Sequence, residues 1–307
     1  MVQLISFLRN SKLAIDWHNF GYTILAMKLG QRHPIVQVAA PYEGLFGRAA
    51  DTHFAVSNAM VRALNNKWAI NAVTLHDRPA EIFQPFTSQD ERAKTLKRLP
   101  ETAQYANDIL SGRWRLIVSP TSWTSDEDFG IFLDAMVQYS AAASDSSKNK
   151  KLPSILAIIT GKGPQKEHYL ERIKKLNQEK KLANVIITTA FLSLKDYASL
   201  LAASDLGISL HTSSSGVDLP MKILDMFGAG LPVLGWNKYE AWKELVRESE
   251  NGEGFDSMEE MCEKMIQLFE GGGPKLEKLR PGARKEGEMR WDAEWDQVAG
   301  KEFKLVK

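Results

Sequence analysis

The chain has 307 residues, of which 39 are Lys or Arg and 38 are Asp or Glu, so its formal net charge is +1. A net charge this close to zero argues against a nucleic-acid-binding protein and against electrostatic attachment to an anionic membrane. Hydrophobic residues make up 44% and charged residues 25%, which is typical of a folded globular protein. At ~150 residues per domain, the length predicts about two domains.

Targeting and redox features of the sequence are few. No apolar run reaches the ~18–20 residues that are needed to cross a bilayer. Residues 1–13 carry Arg9 and Lys12 after a short apolar patch and lack the cleavage site of a signal peptide. The one cysteine, Cys262, excludes an intrachain disulfide framework and a cysteine-based zinc site. These features favour a soluble protein that faces the reducing cytosol.

In the second half of the chain, short apolar runs alternate with amphipathic stretches. The apolar runs are rich in β-branched residues and predict buried strands at residues 115–119, 154–160, 184–188, 206–210 and 231–234. Helical periodicity is found at residues 126–143, 165–180, 195–203 and 218–227. This alternation is typical of βαβ units in a parallel sheet that is covered on both faces. Residues 144–151 (SDSSKNKK) are interpreted as a polar surface connection within this domain.

The first hundred residues alternate in the same way but contain fewer elements. Strands are expected at residues 13–16, 52–56 and 72–75, and helices at residues 22–29, 35–47 and 57–67. Three strands are few for one half of an α/β protein, so we expect this domain to be incomplete. The polar segment 88–101 is expected to connect the two domains. The predicted organisation is a domain over residues 1–100, a second domain over 101–285, and a helical segment over 286–307 that returns to the first domain.

The most informative stretch is residues 212–230, TSSSGVDLPMKILDMFGAG. A loop rich in serine and glycine leads into a helix, for which Asp218 is the expected N-cap, with Pro220 in the first turn. Backbone N–H groups of residues 214–216 and the helix N-terminus together predict an anion site. On one helix face, Lys222 could reach a diphosphate and Asp225 a ribose. An ordinary capped helix with an exposed ion pair explains the same spacing equally well.

Longer motifs connect this stretch to a known family. Residues 213–233 match the pattern SSSG-x-DLPMK-x-x-DMFG-x-x-LPV at every fixed position. Further motifs of this family are found at residues 15–22 (IDWHNFGY), 42–48 (YEGLFGR), 77–79 (DRP), 118–129 (VSPTSWTSDEDF), 159–169 (ITGKGPQKEHY) and 290–295 (RWDAEW). The chain therefore resembles the chitobiosyl-diphosphodolichol β-mannosyltransferases of asparagine-linked glycan assembly, and the resemblance covers essentially its whole length.

The resemblance implies a GT-B fold, in which two Rossmann-like domains face each other. Residues 1–100 would lie on the acceptor side, and residues 101–285 would bind the nucleotide-sugar. The implied reaction is inverting transfer of mannose from GDP-mannose to N,N'-diacetylchitobiosyl-diphosphodolichol, which forms a β-1,4 bond at the cytosolic face of the endoplasmic reticulum membrane. No tightly bound cofactor and no nucleic-acid partner are expected. A complex with other mannosyltransferases of the endoplasmic reticulum is expected.

Such a transfer needs positive charge or dipoles beside the departing diphosphate. The donor-binding candidates lie in loops and helix starts that follow predicted strands, where open α/β sheets bind their ligands. They are Ser213, Ser214, Ser215, Gly216, Asp218, Lys222 and Asp225, with Lys162, Thr121 and Ser122 in two further loops. A solvated turn lysine explains Lys162 about as well.

Inversion in one step also needs a base that takes the proton of the acceptor hydroxyl. The candidates are His18, Asp16 and Glu43. His18 directly follows a predicted strand and titrates near working pH, although a loop histidine that fixes its neighbours is an equal alternative. Asp16 is a close competitor, and Glu43 could instead orient the acceptor or pair with Arg48. The other histidines show no metal-ligand spacing, so no metal site is predicted.

Two departures from the family pattern shape the expectations. Members of the family begin with a hydrophobic membrane anchor, which would supply the membrane contact, and with a first βαβ unit. We expect both to be missing here and this chain to transfer little mannose by itself. One alternative is a truncated, inactive relative that only binds GDP-mannose, and another is a related enzyme with a different sugar nucleotide.

The second departure lies in the C-terminal domain. The ENG-x-x-F motif at residues 250–255 is present and is interpreted as a turn, but the aromatic-rich segment 236–242 has no interpretation.

Overall fold

The computed structural model describes residues 2–124, 126–145 and 151–306. Most of the surface connection expected at residues 144–151 lies outside these ranges. The described strands are Ala14–Trp17 (β1), Thr52–Ala55 (β2), Val73–Thr74 (β3), Trp114–Pro120 (β4), Ser154–Thr160 (β5), Val185–Ala190 (β6), Leu206–Ser209 (β7), Val233–Trp236 (β8) and Gly252–Phe255 (β9). The described α-helices are Val2–Leu8 (α1), Gly21–Leu29 (α2), Pro34–Gly47 (α3), Asn58–Trp68 (α4), Gln89–Arg98 (α5), Pro100–Ala103 (α6), Ala106–Leu110 (α7), Phe129–Ser144 (α8), Lys166–Gln178 (α9), Leu194–Ala203 (α10), Met221–Gly228 (α11), Trp242–Leu245 (α12), Met258–Phe269 (α13), Pro274–Gly287 (α14) and Trp291–Trp295 (α15).

The described strands form two parallel sheets. The smaller sheet has the order β1-β2-β3, and the larger sheet has the order β6-β5-β4-β7-β8-β9. In the larger sheet Val118 of β4 pairs with Ile158 on one side and with Gly207 on the other. This is the Rossmann order, in which the strand order reverses between β4 and β7. The predicted α/β class with parallel sheets is confirmed.

The larger sheet is buried on both faces, as its β-branched strands require. Leu116 and Val118 of β4 belong to one apolar cluster, and Ile117 between them belongs to a second cluster on the opposite face. The first cluster also contains Trp17, the last residue of β1, and Phe20, which follows this strand. The two domains therefore share a hydrophobic core. None of the helices in the described ranges is both long and apolar enough to cross a bilayer.

The end of the chain packs on the small sheet. Phe54 of β2, Leu75 and Ala299 form a separate apolar cluster. The ring of Phe303 lies against that of Phe54, with centroids 5.5 Å apart. These contacts bring residues 299–303 back to the small sheet.

The sequence misplaces one helix start, and the expected passage between the domains contains a helix of its own. The polar segment 88–101 contains α5 and buries Leu96 and Leu99. The helix predicted from Asp218 begins three residues later at Met221, and Pro220 occupies the N-cap position without a side-chain hydrogen bond. The carboxylate of Asp218 does not cap the helix, because it accepts hydrogen bonds from the hydroxyls of Ser213 and Ser215 in the preceding loop.

The turn interpreted at residues 250–255 is found only at residues 250–251, because the rest of the range forms β9, a sixth strand of the larger sheet. Gly252 of this strand pairs with Val233 of β8. A Cβ at Gly252 would lie only 2.6 Å from the carbonyl oxygen of Val233. A strand that needs glycine for this close approach lacks the apolar alternation from which strands are predicted.

Candidate functional site

The loops that follow β4 and β7 meet where the strand order of the larger sheet reverses. The N–H and the hydroxyl of Thr212 both donate to the carbonyl oxygen of Asp126, over 3.0 and 2.8 Å. Ligands of open α/β sheets bind at such a reversal point. A cleft of about 300 Å³ lies here between the two domains. It is lined by His18, Asn19 and Asp77 from one domain and by Ser122, Asp126, Glu127, His211, Asp218, Leu219, Pro220, Met221 and Lys222 from the other.

The serine-rich loop is held from within by Asp218. Its carboxylate accepts hydrogen bonds from the hydroxyls of Ser213 and Ser215 and lies 2.8 Å from Nε2 of His211. Burial opposes the charged form of Asp218, but these hydrogen bonds outweigh it and lower the pKa to about 2. Tyr239 packs edge-on against His211, with ring centroids 6.0 Å apart, which places the aromatic segment behind the loop. Asp218 is thus a charged anchor of the loop and not a helix cap.

The backbone of this loop fits the predicted anion site only in part. The N–H of Gly216 donates to Oγ of Ser213 over 2.7 Å, so it is already used. Ser213 has a φ of +56°, in the left-handed region that strains a serine. The first N–H groups of α11, on Met221 and Lys222, have no partner within the helix and border the cleft. The start of α11 is therefore the stronger anion-binding feature.

Lys222 lies against the wall of the cleft and is not a free surface lysine. Its ammonium forms an ion pair with Glu127 and lies 3.2 Å from Oγ of Ser122. The side chain of Glu127 is only 3% exposed, and it also accepts hydrogen bonds from the Thr121 hydroxyl and the Ser122 N–H. Because an ammonium has three donors, one N–H of Lys222 remains for an anion in the cleft.

Asp225 lies one turn further along α11 and outside the residues that line the cleft. Burial raises the pKa of its carboxyl group to about 7. At neutral pH Asp225 is therefore divided between the acid, which can donate a hydrogen bond, and the carboxylate, which can only accept one.

The GKG loop packs on the loop that follows β4. A Cβ at Gly161 would lie 1.9 Å from the carbonyl oxygen of Thr121, and one at Gly163 would lie 1.7 Å from that of Ser122. Both glycines are thus explained by close backbone approach. Lys162 between them does not line the cleft, and its Nζ lies 3.7 Å from the ring centroid of Phe191.

His18 lies between two carboxylates at the boundary of the domains. Its Nε2 is 3.0 Å from Oδ2 of Asp16, and its Nδ1 is 3.3 Å from Oδ2 of Asp77. Hydrogen bonds to Asp16 and to Asp77 raise the pKa of His18 to about 10. Only the protonated ring can donate from both nitrogens, and a protonated ring cannot accept a proton. This arrangement favours Asp16 over His18 as the proton acceptor.

Glu43 belongs to α3, and its carboxylate lies at the N-terminus of α2. It does not line the cleft. Its carboxylate accepts hydrogen bonds from the N–H groups of Gly21 and Tyr22, over 2.9 and 3.1 Å. These are donors that a helix start leaves without partners, and the helix dipole favours a negative charge there. The alternative pairing with Arg48 is not found, because Arg48 donates to the carbonyl oxygen of Trp68 instead.

Several residues of the cleft were not predicted individually. Asp77 and Glu127 fall within the DRP and VSPTSWTSDEDF motifs, so the motifs pointed to the right segments. Asn19 donates to Oγ of Ser214 over 3.2 Å and joins the domains, a contact that no local pattern indicates. Within the described ranges, no group of three or more His, Cys, Asp or Glu side chains is arranged to hold a metal ion.

Known proteins resemble this chain in sequence and in fold. Residues 124–271 match the family model described as "Glycosyl transferases group 1". The chain is 54% identical over 303 residues to the chitobiosyldiphosphodolichol beta-mannosyltransferase of Arthroderma benhamiae and 41% identical over 298 residues to that of Yarrowia lipolytica. These alignments cover 97% and 96% of this chain but 67% and 61% of the relatives. The crystal structure of Anabaena Alr3699/HepE with UDP and glucose is similar in fold, with a TM-score of 0.70 at 17% identity over 98% of this chain and 74% of that one.

Proposed function

This chain belongs to the family of chitobiosyldiphosphodolichol beta-mannosyltransferases, and we propose that it contributes the site at which mannose is transferred from GDP-mannose to a chitobiosyl-diphosphodolichol acceptor. Its fold is that of the two-domain GT-B glycosyltransferases. The observation that carries the proposal is the position of the family's longest motif, of which residues 218–222 line one wall of a cleft between the two domains. No tightly bound cofactor is part of the proposal, since the donor is a substrate.

The donor diphosphate fits the start of α11. A helix N-terminus favours a negative charge, and Lys222 directs a cation into the same cleft. Glu127 fixes the ammonium in place before the reaction, which suits a group that stabilises charge as it develops on the departing GDP. Asp225 is proposed to meet the ribose. Lys162 is a weaker donor contact, since it lies over Phe191.

The acceptor reacts from the side of the N-terminal domain. The acceptor hydroxyl oxygen forms a bond to the anomeric carbon as the bond from that carbon to the diphosphate oxygen breaks. The hydroxyl proton passes to Asp16, and attack opposite the leaving group turns the α-linked donor into a β-linked product. His18, held as a cation by Asp16 and Asp77, orients the carboxylate and offsets negative charge in the cleft.

The place of action follows from the proposed acceptor. A dolichol-linked substrate requires work at a membrane, and we place the reaction at the cytosolic face of the endoplasmic reticulum. A complex with other mannosyltransferases of that membrane stays a prediction.

The test is a transfer assay with GDP-mannose and a short-chain lipid diphosphate that carries chitobiose. The protein is assayed alone and as a chimera that also carries the part of the Arthroderma benhamiae relative outside the alignment. The expected product is a trisaccharide that β-mannosidase cleaves and α-mannosidase does not. An α-linked product, or a chimera that binds GDP-mannose without product, would contradict the proposal, and the second result would favour a binding-only protein.

A further inference from the structure

Two side chains of the segment Arg290–Trp295 hold it against the loop that follows β3. The guanidinium of Arg290 donates to the carbonyl oxygens of Ala80 and Phe83, over 3.1 and 3.0 Å. Glu294 is buried and accepts two hydrogen bonds from Arg78, over 3.2 and 3.0 Å. These contacts fix the segment and the loop after β3 against each other.

Two other side chains of the same segment make none of these contacts. Trp291 is 38% exposed and Asp292 is exposed. Within the described part of the chain, neither has a hydrogen bond, ion pair or ring contact. An indole that is more than a third exposed and has no aromatic or hydrogen-bonding partner, on a segment held by its neighbours, offers a preformed surface for a ligand.

Both side chains line a second cavity, of about 510 Å³, which adjoins the donor cleft. His18 and Asp77 belong to the walls of both spaces, so they form the boundary between them. Asp16 opens only into the second cavity, together with Glu81. A molecule in this cavity would therefore reach the proposed base, and the donor would approach from the other side of His18.

The charged side chains that line the cavity determine which class of ligand fits it. Four carboxylates, on Asp16, Asp77, Glu81 and Asp292, face two cationic side chains, His18 and Arg78. Arg78 is already paired with Glu286 and Glu294. A phosphate would meet an excess of negative charge here. A neutral polyol would meet oxygen acceptors for its hydroxyls and an exposed aromatic face for its C–H groups.

We propose that this cavity is the acceptor-sugar subsite, in which the indole of Trp291 stacks on the terminal N-acetylated amino sugar and Asp292 accepts from its hydroxyls. The inference rests on the proposed function for the identity of the sugar. The diphosphate of the acceptor lies outside the cavity, where the carboxylates do not repel it.

The test uses the 307-residue protein with chitobiose that carries no diphosphate. Trp291→Phe identifies the indole N–H signal of Trp291 in the NMR spectrum, since it removes that signal and keeps an aromatic ring. Chitobiose should shift this signal in the wild type. Trp291→Ala should weaken chitobiose binding about tenfold, because the ring contact is lost. Trp291→Phe should retain part of the binding, and Met289→Ala, an exposed apolar side chain just before the segment, should bind as the wild type does.

Asp292→Asn and Asp296→Asn form the second comparison, since both carboxylates are exposed at one end of the chain and only Asp292 lines the cavity. Asp292→Asn should raise the acceptor KM in the transfer assay with little change in kcat, and Asp296→Asn should change neither. Chitobiose that leaves the Trp291 signal unmoved, or variants that bind it as the wild type does, would overturn the subsite. GDP is titrated in parallel. Chitobiose binding at Trp291 without GDP binding would keep the subsite and remove the proposed function.

Discussion

Lys222 is held in the cleft by a carboxylate that has almost no contact with water. Glu127 would be left buried and unpaired if the lysine were removed, and such a charge is expensive to keep inside a protein. An exposed helix lysine, by contrast, is replaced at little cost in stability. Replacement of Lys222 should therefore lower both the stability of the fold and the activity.

Lys222→Ala should lower the transfer rate by ~10²-fold or more, because a charged donor to the leaving diphosphate is lost. It should also lower the free energy of unfolding by about 3 kcal/mol, since Glu127 loses its partner. The double variant Lys222→Ala/Glu127→Gln should recover most of the stability and none of the activity. Urea denaturation and initial rates measure both effects. A single variant as stable as the wild type would show that the ion pair does not hold the site together.

His18 should titrate far from neutral pH, because Asp16 and Asp77 stabilise its cation and raise its pKa to about 10. A raised pKa means that the folded state binds the proton more tightly than the unfolded state. The stability that His18 contributes is then complete below its ordinary pKa of 6.5 and is lost as the pH rises towards 10.

At pH 7 the NMR signals of the His18 imidazole should therefore be those of the protonated ring. Asp77→Asn should lower the pKa of His18. The difference in unfolding free energy between the wild type and His18→Gln should shrink from pH 6.5 to pH 10. A His18 that titrates near 6.5 in the wild type would restore it as a candidate base.

At the scale of elements, α4 is capped from the other domain. The carboxylate of Glu244, in α12, accepts hydrogen bonds from the N–H groups of Asn58 and Ala59, each over 2.7 Å, and lies 3.4 Å from Nε2 of His76. Hydrogen bonds to Glu244 and then to Glu294 raise the pKa of His76 to about 9. One short helix of the C-terminal domain thus supplies the charge that a helix start in the N-terminal domain needs.

Glu244→Ala should lower the free energy of unfolding by about 1–2 kcal/mol, because two N–H donors at the start of α4 lose their acceptor. Glu240→Ala is the matched control, since Glu240 lies near Glu244 in the sequence but forms an exposed ion pair with Arg62. The control should cost about 0.5 kcal/mol or less. Equal losses in the two variants, measured by chemical denaturation, would contradict the capping role.

The strands that could be predicted from the sequence are those with a dense apolar pattern. Residues 154–160 were predicted with the observed bounds, because six of the seven side chains of β5 are buried and the period is unambiguous. β9 was missed because Gly252, which the close approach to β8 requires, interrupts the apolar pattern of the strand. The helix start at Met221 was misplaced because Asp218 satisfies its local pattern as a cap, while tertiary contacts with His211 direct it into the loop.

The candidate site was predictable as a set of segments but not as a set of contacts. Lys222 and Ser122 were named from their loops, and the structure brings them within 3.2 Å. Glu127, which joins them, is separated from Lys222 by 95 residues of chain, and no spacing rule connects such a pair. The pairing of His18 with Asp77 was hidden for the same reason.

At the scale of the whole molecule, the cleft exists only because the two domains are fixed to each other. Ser57 donates to the carbonyl oxygen of Val217 over 2.5 Å, beside the serine-rich loop, and Asn19 reaches Ser214 of that loop. The two walls of the cleft are thus parts of one packed unit, and we expect a nucleotide to bind without a rearrangement of either wall. The solved structure that resembles the fold holds UDP, so the choice of nucleotide separates shared fold from family function.

The most direct test of the account is a calorimetric titration of the 307-residue protein with GDP, UDP and ADP under the same conditions. We predict that GDP binds most tightly, and that Lys222→Ala weakens GDP binding, because the diphosphate loses its ammonium partner. Equal affinity for the three nucleotides, or tighter binding of UDP, would contradict the assignment of this cleft to GDP-mannose.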